Sequence, residues 1–174
     1  MSKIEALPII HIIGLPGAGK TTLAKKLSRK FKIPIYRIGE YRCKFPITPT
    51  GEADAWISLF RAMSRQNWGN CLIETTGLNR RESFLSEVLP LERLITIKLE
   101  AQRKILYTRI SQKKKREQGG AWLFSEIYPD KYEFVKKLFK SFSCVPAEIK
   151  INTTKLTSCQ VYKAVIEQLG FYLN

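Results

Sequence analysis

The stretch that most constrains the fold is a glycine-rich segment between an apolar run and a helical pattern. Residues 9–27 read IIHIIGLPGAGKTTLAKKL. The apolar residues 8–13 predict a buried strand, and residues 20–30 predict a helix directly after the glycines. A strand that runs through a tight loop into a helix is typical of proteins built on a parallel sheet.

The loop itself, GLPGAGKT at residues 14–21, fits the pattern GxxxxGK[ST] in full and lies between a predicted strand and a predicted helix. Glycines permit backbone angles closed to other residues and let main-chain amides face an anion. The amino terminus of the following helix adds a positive field. We therefore expect a nucleotide-binding loop that consists of Gly14, Pro16, Gly17, Ala18, Gly19, Lys20, Thr21 and Thr22.

Two side chains of this loop have expected roles of their own. Lys20 is expected to place its charge at the β- and γ-phosphates, and the Thr21 hydroxyl to complete the coordination of magnesium. Thr22 either reaches the α-phosphate or is only a first-turn helix residue. The predicted ligands are a nucleoside triphosphate, ATP in the first instance, and Mg²⁺. No base-reading motif separates ATP from GTP.

Charge and cysteine content narrow the class of protein. The 174 residues include 30 Lys and Arg against 15 Asp and Glu, a net charge of +15. The excess of positive charge is spread over both halves of the chain and is not concentrated in a basic tail. A positively charged surface of this kind favours anionic partners. Four scattered cysteines without a CxxC pair indicate reduced thiols rather than zinc or disulfides. We expect a cytoplasmic protein, since neither a secretory signal nor a membrane span is visible.

Strand patterns alternate with helical patterns along the chain, and no repeat or linker interrupts them. Such alternation implies parallel pairing with right-handed crossovers, and hence a three-layer α/β/α sandwich in one domain, residues 1–174. Strands are predicted at 8–13, 33–38, 70–74, 94–99 and 148–151. Helices are predicted at 20–30, 52–66, 81–88, 101–115, 131–142 and 158–169.

Several stretches together resemble the small P-loop kinases: GLPGAGKTTLAKKL, a strand ending in IGEYR, then LIETTGLN and LEAQRKILYTRI. That group includes adenylate, shikimate and gluconate kinases and the kinase domain of polynucleotide kinases. The resemblance implies the P-loop NTPase fold with a five-stranded parallel sheet of order 2-3-1-4-5. It also implies an acceptor site beside strands 2 and 3, and a lid after strand 4.

The resemblance also implies roles for acidic and basic residues at the strand ends. Glu74 matches the position of a magnesium-organising aspartate, although it could instead support the phosphate loop by a hydrogen bond. Glu40 matches the base that accepts the acceptor's proton, with Asp54 as the reserve. Arg42 and Arg80 match arginines that hold an anionic part of the acceptor, and the alternative for both is a surface role.

A basic helix follows strand 4. In the segment Arg103–Arg116, seven of fourteen residues are basic and none is acidic. By resemblance, Arg109 and Arg116 are expected to stabilise the charge of the transferred phosphoryl group, with a lid at about residues 112–128. A solvated basic helix end is the alternative interpretation.

The sequence therefore predicts an ATP-dependent phosphotransferase that acts on a hydroxyl-bearing or anionic small molecule or a nucleotide. Nucleic acid is an alternative partner, because the charge is also suited to a polynucleotide 5′-hydroxyl kinase. A nucleotide-binding regulatory ATPase without a phosphoacceptor is the second alternative, motivated by glutamates at positions where the group usually has aspartates.

Overall fold

A computed structural model describes residues 8–46, 48–66, 69–78, 94–116 and 131–173. Within these residues, five strands form one sheet in which every pair of neighbours is parallel. The order along the sheet is β2-β3-β1-β4-β5, which confirms the predicted order. The strands are β1 Ile9–Gly14, β2 Ile35–Arg37, β3 Leu72–Glu74, β4 Leu94–Glu100 and β5 Ile149–Asn152.

Six helices connect or follow these strands in the described part of the chain. They are α1 Lys20–Phe31, α2 Ile38–Arg42, α3 Pro49–Ser64, α4 Arg103–Arg116, α5 Lys131–Ser143 and α6 Ser158–Leu173. The start of α3 shows why a helix begins there. Thr48 precedes it in an extended conformation, its hydroxyl accepts a hydrogen bond from the Gly51 amide, and Pro49 occupies the first turn.

Apolar residues are buried on both faces of the sheet. On one face, Ile10 of β1 belongs to a cluster with Leu23 of α1. On the other face, Ile9 and Ile73 belong to a second cluster with Trp56 of α3. Because the side chains of a strand alternate between its faces, β1 contributes to both clusters and lies at the centre of the core. Helices thus cover both faces, and the three-layer α/β/α prediction is confirmed.

Most predicted bounds lie within three residues of the observed ones, and two differences stand out. Strand β2 is shorter than the predicted strand at 33–38, because the chain turns into the short helix α2 at Ile38. At the other end of the chain, the last predicted helix stops at residue 169, before Gly170, but α6 continues to Leu173. Glycine costs only about 1 kcal/mol inside a helix, and the burial of Leu169 beside it favours the continued turn.

The predicted helix at 81–88 and most of the predicted lid lie outside the described residues. None of the helices in the described ranges has both the length and the apolar character that a bilayer span requires.

Candidate active site

The glycine-rich segment 14–21, called the phosphate loop after its predicted ligand, connects β1 to α1. Its conformation needs its glycines. Gly17 and Gly19 have φ angles of 83° and 99°, in the left-handed region that other residues adopt at a cost. Gly19 directly precedes α1, and no side chain caps this helix start. The first amides of α1 therefore keep their hydrogen-bonding capacity for an anion at the loop.

Lys20 lies folded back over the loop that precedes it. Its Nζ donates to the Gly14 carbonyl at 2.7 Å and to the Leu15 carbonyl at 3.3 Å. The ammonium group is therefore held at the end of β1, beside the loop amides, where the sequence predicted the phosphate charge to be neutralised.

Thr21 and Glu74 meet at the mouth of the loop. The Thr21 hydroxyl donates to Glu74 Oε1 at 2.7 Å. Glu74 is the last residue of β3 and is only 9% exposed. Because β3 pairs with β1, with Ile12 and Glu74 in register, the carboxylate emerges next to the start of the phosphate loop. The structure thus brings together the two residues predicted to hold magnesium, and it does so through a hydrogen bond of the kind predicted as the alternative role of Glu74.

Arg37 is a member of this site that the sequence analysis did not predict. Its Nε donates to Glu74 Oε2 at 3.0 Å, and its Nη1 donates to Glu40 Oε1 at 2.7 Å. A longer contact of 3.4 Å joins Nη2 to Thr21 Oγ1. The predicted strand order was the signal that could have indicated this role of Arg37. In that order β2 lies beside β3, and Arg37 at the end of β2 is in register with Glu74 at the end of β3.

Glu40 and Arg42 both lie on α2, and both line the same cavity. The Glu40 side chain is 57% exposed and is paired with Arg37. Arg42 instead makes a bidentate pair with Glu52, at 2.8 and 2.6 Å, and Trp56 Nε1 donates to the same carboxylate. The guanidinium of Arg42 thus ties α2 to α3.

Asp54, the predicted reserve base, is half-buried on α3. It is not among the described residues that line the cavity. Arg80 and the segment 117–128 of the predicted lid lie outside the described residues. Arg116 ends α4, but its side chain also lies outside them.

Arg109 holds the far side of the phosphate loop. Its Nη1 and Nη2 donate to the side-chain and main-chain oxygens of Thr153 at 2.9 and 2.6 Å, and Nη1 also lies 3.5 Å from the Gly17 carbonyl. Thr153 directly follows β5. Burial lowers the pKa of the Arg109 guanidinium from its usual value, since desolvation disfavours the charged form. Arg109 therefore links α4, the loop and the end of β5.

Two threonines after β3 complete the wall next to Glu74. Thr75 and Thr76 are both buried and line the cavity. Thr75 Oγ1 accepts from the Gly77 amide at 3.2 Å and lies 2.8 Å from Nε2 of His11. Burial lowers the pKa of His11 to about 4, so the imidazole is neutral at physiological pH. His11 supports this wall from within the core.

These groups surround one cavity of about 680 Å³, a volume typical of small-molecule sites. Its lining combines residues 16–23 with Glu40 of α2 and Thr76 after β3, and with Arg109 of α4 and Val161 of α6. The cavity therefore brings the phosphate loop together with residues of α2, α4 and α6.

The donor set at Thr21 and Glu74 fits magnesium that arrives with a nucleotide. Mg²⁺ prefers oxygen ligands and is commonly held by one or two carboxylates together with substrate phosphates. A hydroxyl and a carboxylate 2.7 Å apart beside the loop meet that requirement. Among the described residues, no group of three or more His, Cys, Asp or Glu side chains could hold a metal ion. The fit is thus to a shared metal and not to an all-protein cage.

Comparison with solved structures identifies the fold. A gluconokinase from Sinorhizobium meliloti 1021 is similar with a TM-score of 0.67 and 12% identity, over 94% of this chain and 92% of that chain. Shikimate kinase from Aquifex aeolicus vf5 is similar with a TM-score of 0.61 and 21% identity, over 94% and 96%. APS kinase from Mycobacterium tuberculosis, in complex with AMPPNP and APS, has a TM-score of 0.62 and 13% identity, over 95% and 98%.

No protein-family model matches the chain, and no curated protein matches it significantly. The similar structures nevertheless cover nearly the whole chain in both directions. The chain therefore has the fold of the small P-loop kinases, and the resemblance seen in its sequence is confirmed at the level of the fold.

Proposed function

We propose that this chain is a kinase that transfers the γ-phosphoryl group of a nucleoside triphosphate to a small molecule. The observation that carries the proposal is the hydrogen bond between Thr21 and Glu74 at the mouth of the phosphate loop. The same cavity is lined by Glu40, the predicted acceptor base. A cavity shared by the predicted nucleotide loop and the predicted base suits transfer to an acceptor.

The chain's own residues supply binding, orientation and charge. Loop amides and the uncapped start of α1 bind the triphosphate. Lys20 moves from the carbonyls it now contacts to the terminal phosphates, and Arg109 keeps the loop against β5. Thr21 and Glu74 would hold Mg²⁺, which neutralises phosphate charge when it is bound. Because phosphoryl transfer depends mostly on positioning and electrostatics, these parts account for much of the expected catalysis.

On the acceptor side, Glu40 orients or deprotonates the acceptor hydroxyl. Arg42 lines the cavity, but its guanidinium is paired with Glu52, so it would hold an anionic acceptor only by sharing or leaving that pair. Asp54 would act only if α3 moved towards the cavity. Arg80 remains a prediction for an acceptor contact. Arg109, which lines the cavity, and Arg116 remain predictions for contacts with the transferred phosphoryl group.

The structurally similar proteins support a small-molecule acceptor and an adenine nucleotide. Two of them are named for shikimate and gluconate, and a third holds AMPPNP together with APS. No observation on the described residues favours a polynucleotide acceptor over these, so an oligonucleotide belongs in the test as a competing substrate.

The test is transfer of label from γ-labelled ATP with Mg²⁺ to pools of hydroxyl-bearing metabolites, nucleosides, nucleotides and oligonucleotides. We expect a labelled small molecule from the wild-type chain and a loss of at least about 100-fold in Lys20→Ala, because the charge at the migrating phosphoryl group is removed. Lys25→Ala is the matched control, since Lys25 lies exposed on the same helix. Phosphate release without any acceptor would instead indicate the regulatory ATPase, and a labelled oligonucleotide would indicate the polynucleotide kinase.

A further inference from the structure

One guanidinium connects both carboxylates that the proposed reaction uses. Arg37 donates to Glu74 on the side of the phosphate loop and to Glu40 on the acceptor side, and its Nη2 lies 3.4 Å from the Thr21 hydroxyl oxygen. The side chain is 29% exposed. It therefore acts where water screens charge only in part.

We propose that Arg37 is a positioning residue that couples Glu74 to Glu40, and that its charge raises the free Mg²⁺ concentration needed for triphosphate binding. The inference rests on the proposed function, because it assumes that Thr21 and Glu74 form the metal-binding side of a nucleotide site, here called the metal edge. It adds that the guanidinium of Arg37 lies beside these two residues.

The hydrogen bonds of Glu74 show how the coupling arises. Its Oε1 accepts from Thr21 and its Oε2 accepts from Arg37, so both oxygens are engaged and the carboxylate is held in one orientation. The planar guanidinium fixes Nε relative to Nη1. A shift of Glu40, which binds Nη1, therefore moves the group that holds Glu74.

The hydrogen bonds of Thr21 show why the charge matters. Its hydroxyl has one hydrogen, which it donates to Glu74, so only its lone pairs remain for other partners. Arg37 Nη2 lies on that oxygen at 3.4 Å. For a metal to use the same oxygen, the guanidinium must withdraw towards Glu40, because two cations a few ångströms apart repel each other.

A purely structural ion pair between β2 and β3 makes a different prediction. In that case, loss of Arg37 lowers the stability of the fold but leaves the magnesium requirement of nucleotide binding unchanged. The two interpretations can therefore be separated by a binding measurement that does not depend on turnover.

The experiment titrates Mg²⁺ against the binding of a fluorescent ATP analogue at fixed concentration. We expect Arg37→Gln to lower the half-saturating free Mg²⁺ by about fivefold or more, since a like charge is removed from the metal edge. Arg37→Lys keeps the charge and should stay within about twofold of wild type. Arg65→Gln, at an exposed position after α3, is the matched control and should not shift.

Glu40→Gln tests the coupling from the other side. Arg37 then keeps its charge but loses one partner, so the half-saturating Mg²⁺ should rise by about two- to threefold. This rise should be smaller in the double variant Arg37→Gln/Glu40→Gln. Glu40 is mostly exposed, so the Glu40→Gln variant is expected to fold. If Arg37→Gln does not fold, an unchanged Mg²⁺ requirement in Glu40→Gln would overturn the inference.

An unchanged or higher requirement in Arg37→Gln would overturn the inference, as would an equal fall in Arg37→Lys. Strict additivity of the Arg37 and Glu40 effects would also overturn it. If the wild-type chain binds no triphosphate at saturating Mg²⁺, the proposed function fails and the inference fails with it. If the wild-type chain binds and the variants do not shift as expected, only the inference fails.

Discussion

Gly17 is the residue at which the phosphate loop meets α4. Its φ angle of 83° lies in the left-handed region, and a Cβ added there would lie 2.7 Å from the carbonyl oxygen of Leu106. Gly19 has a similar φ of 99°, but nothing lies within 4 Å of its would-be Cβ. A substitution at Gly19 therefore tests backbone strain alone, whereas one at Gly17 tests backbone strain together with close packing against α4.

We expect Gly17→Ala to lower the free energy of unfolding by about 3 kcal/mol, and Gly19→Ala by about 1–2 kcal/mol. Both carry the cost of a left-handed alanine, but only the first forces the loop away from α4. Urea unfolding of both variants measures the difference. Equal losses of unfolding free energy in the two variants would contradict the packing argument, because they would mean that α4 can move away from residue 17 without loss of stability.

The arginines show what a residue pattern does not predict. Arg42 was expected to hold an anionic acceptor, yet its guanidinium is bound to Glu52, ten positions along the chain. Arg37 belongs to none of the sequence motifs, yet it contacts the carboxylates of both Glu74 and Glu40. A formal charge indicates that a side chain needs partners, whereas the choice among them depends on which elements pack together.

Strand β4 and helix α5 are joined by a lysine buried in the sheet. Lys98 Nζ donates to the main-chain carbonyls of Ser143 and Val145, each at 2.9 Å, and pairs with Glu100 at 2.7 Å. It also lies 4.8 Å from the centroid of the Phe142 ring. Three acceptors satisfy the three hydrogens of the ammonium group. A cation at the carboxyl end of a helix is favourable as well.

Replacing Lys98 by methionine should lower the free energy of unfolding by about 1–3 kcal/mol, because the part-buried carbonyls of Ser143 and Val145, and Glu100, lose their partner. Lys150→Met is the control, since Lys150 is the register partner of Lys98 on β5 but is exposed. It should cost at most about 0.5 kcal/mol. Chemical unfolding monitored by circular dichroism measures both, and a Lys98 variant as stable as the control would refute this role.

At the scale of the whole molecule, one side chain at the centre of the sheet contributes its own part of the pH dependence of stability. His11 is the single histidine of the chain and lies in β1, between β3 and β4. Burial lowers its pKa from 6.5 to about 4. Between these values the unfolded chain binds a proton that the folded chain does not, so folding becomes less favourable as the pH falls.

The wild-type chain should therefore lose about 3 kcal/mol of unfolding free energy through His11 between pH 7 and pH 4, and none above pH 7. His11→Gln keeps a polar partner for Thr75 but does not titrate. Urea unfolding across this range should show the two proteins diverging in pH dependence by that amount. Parallel curves would contradict the assignment, because carboxylates contribute equally to both.

The local patterns of the sequence were sufficient for the architecture. The phosphate loop and the alternation of strands and helices depend on neighbouring residues, since glycine angles and side-chain periodicity are local properties. The order 2-3-1-4-5 came from the resemblance to the small P-loop kinases and is confirmed. Element ends were harder to predict: α2 replaced the end of a predicted strand, and α6 passed through Gly170.

By itself, the sequence determined a GxxxxGKT loop between a strand and a helix, and the parallel sheet to which that strand belongs. Only the tertiary structure decided that Arg37 would join Glu74 to Glu40, that Arg42 would bind Glu52, and that Arg109 would brace the loop against Thr153. The reason is physical. A local pattern restricts the backbone of a few consecutive residues, whereas a charged side chain takes its partner from whichever strand or helix the fold places beside it.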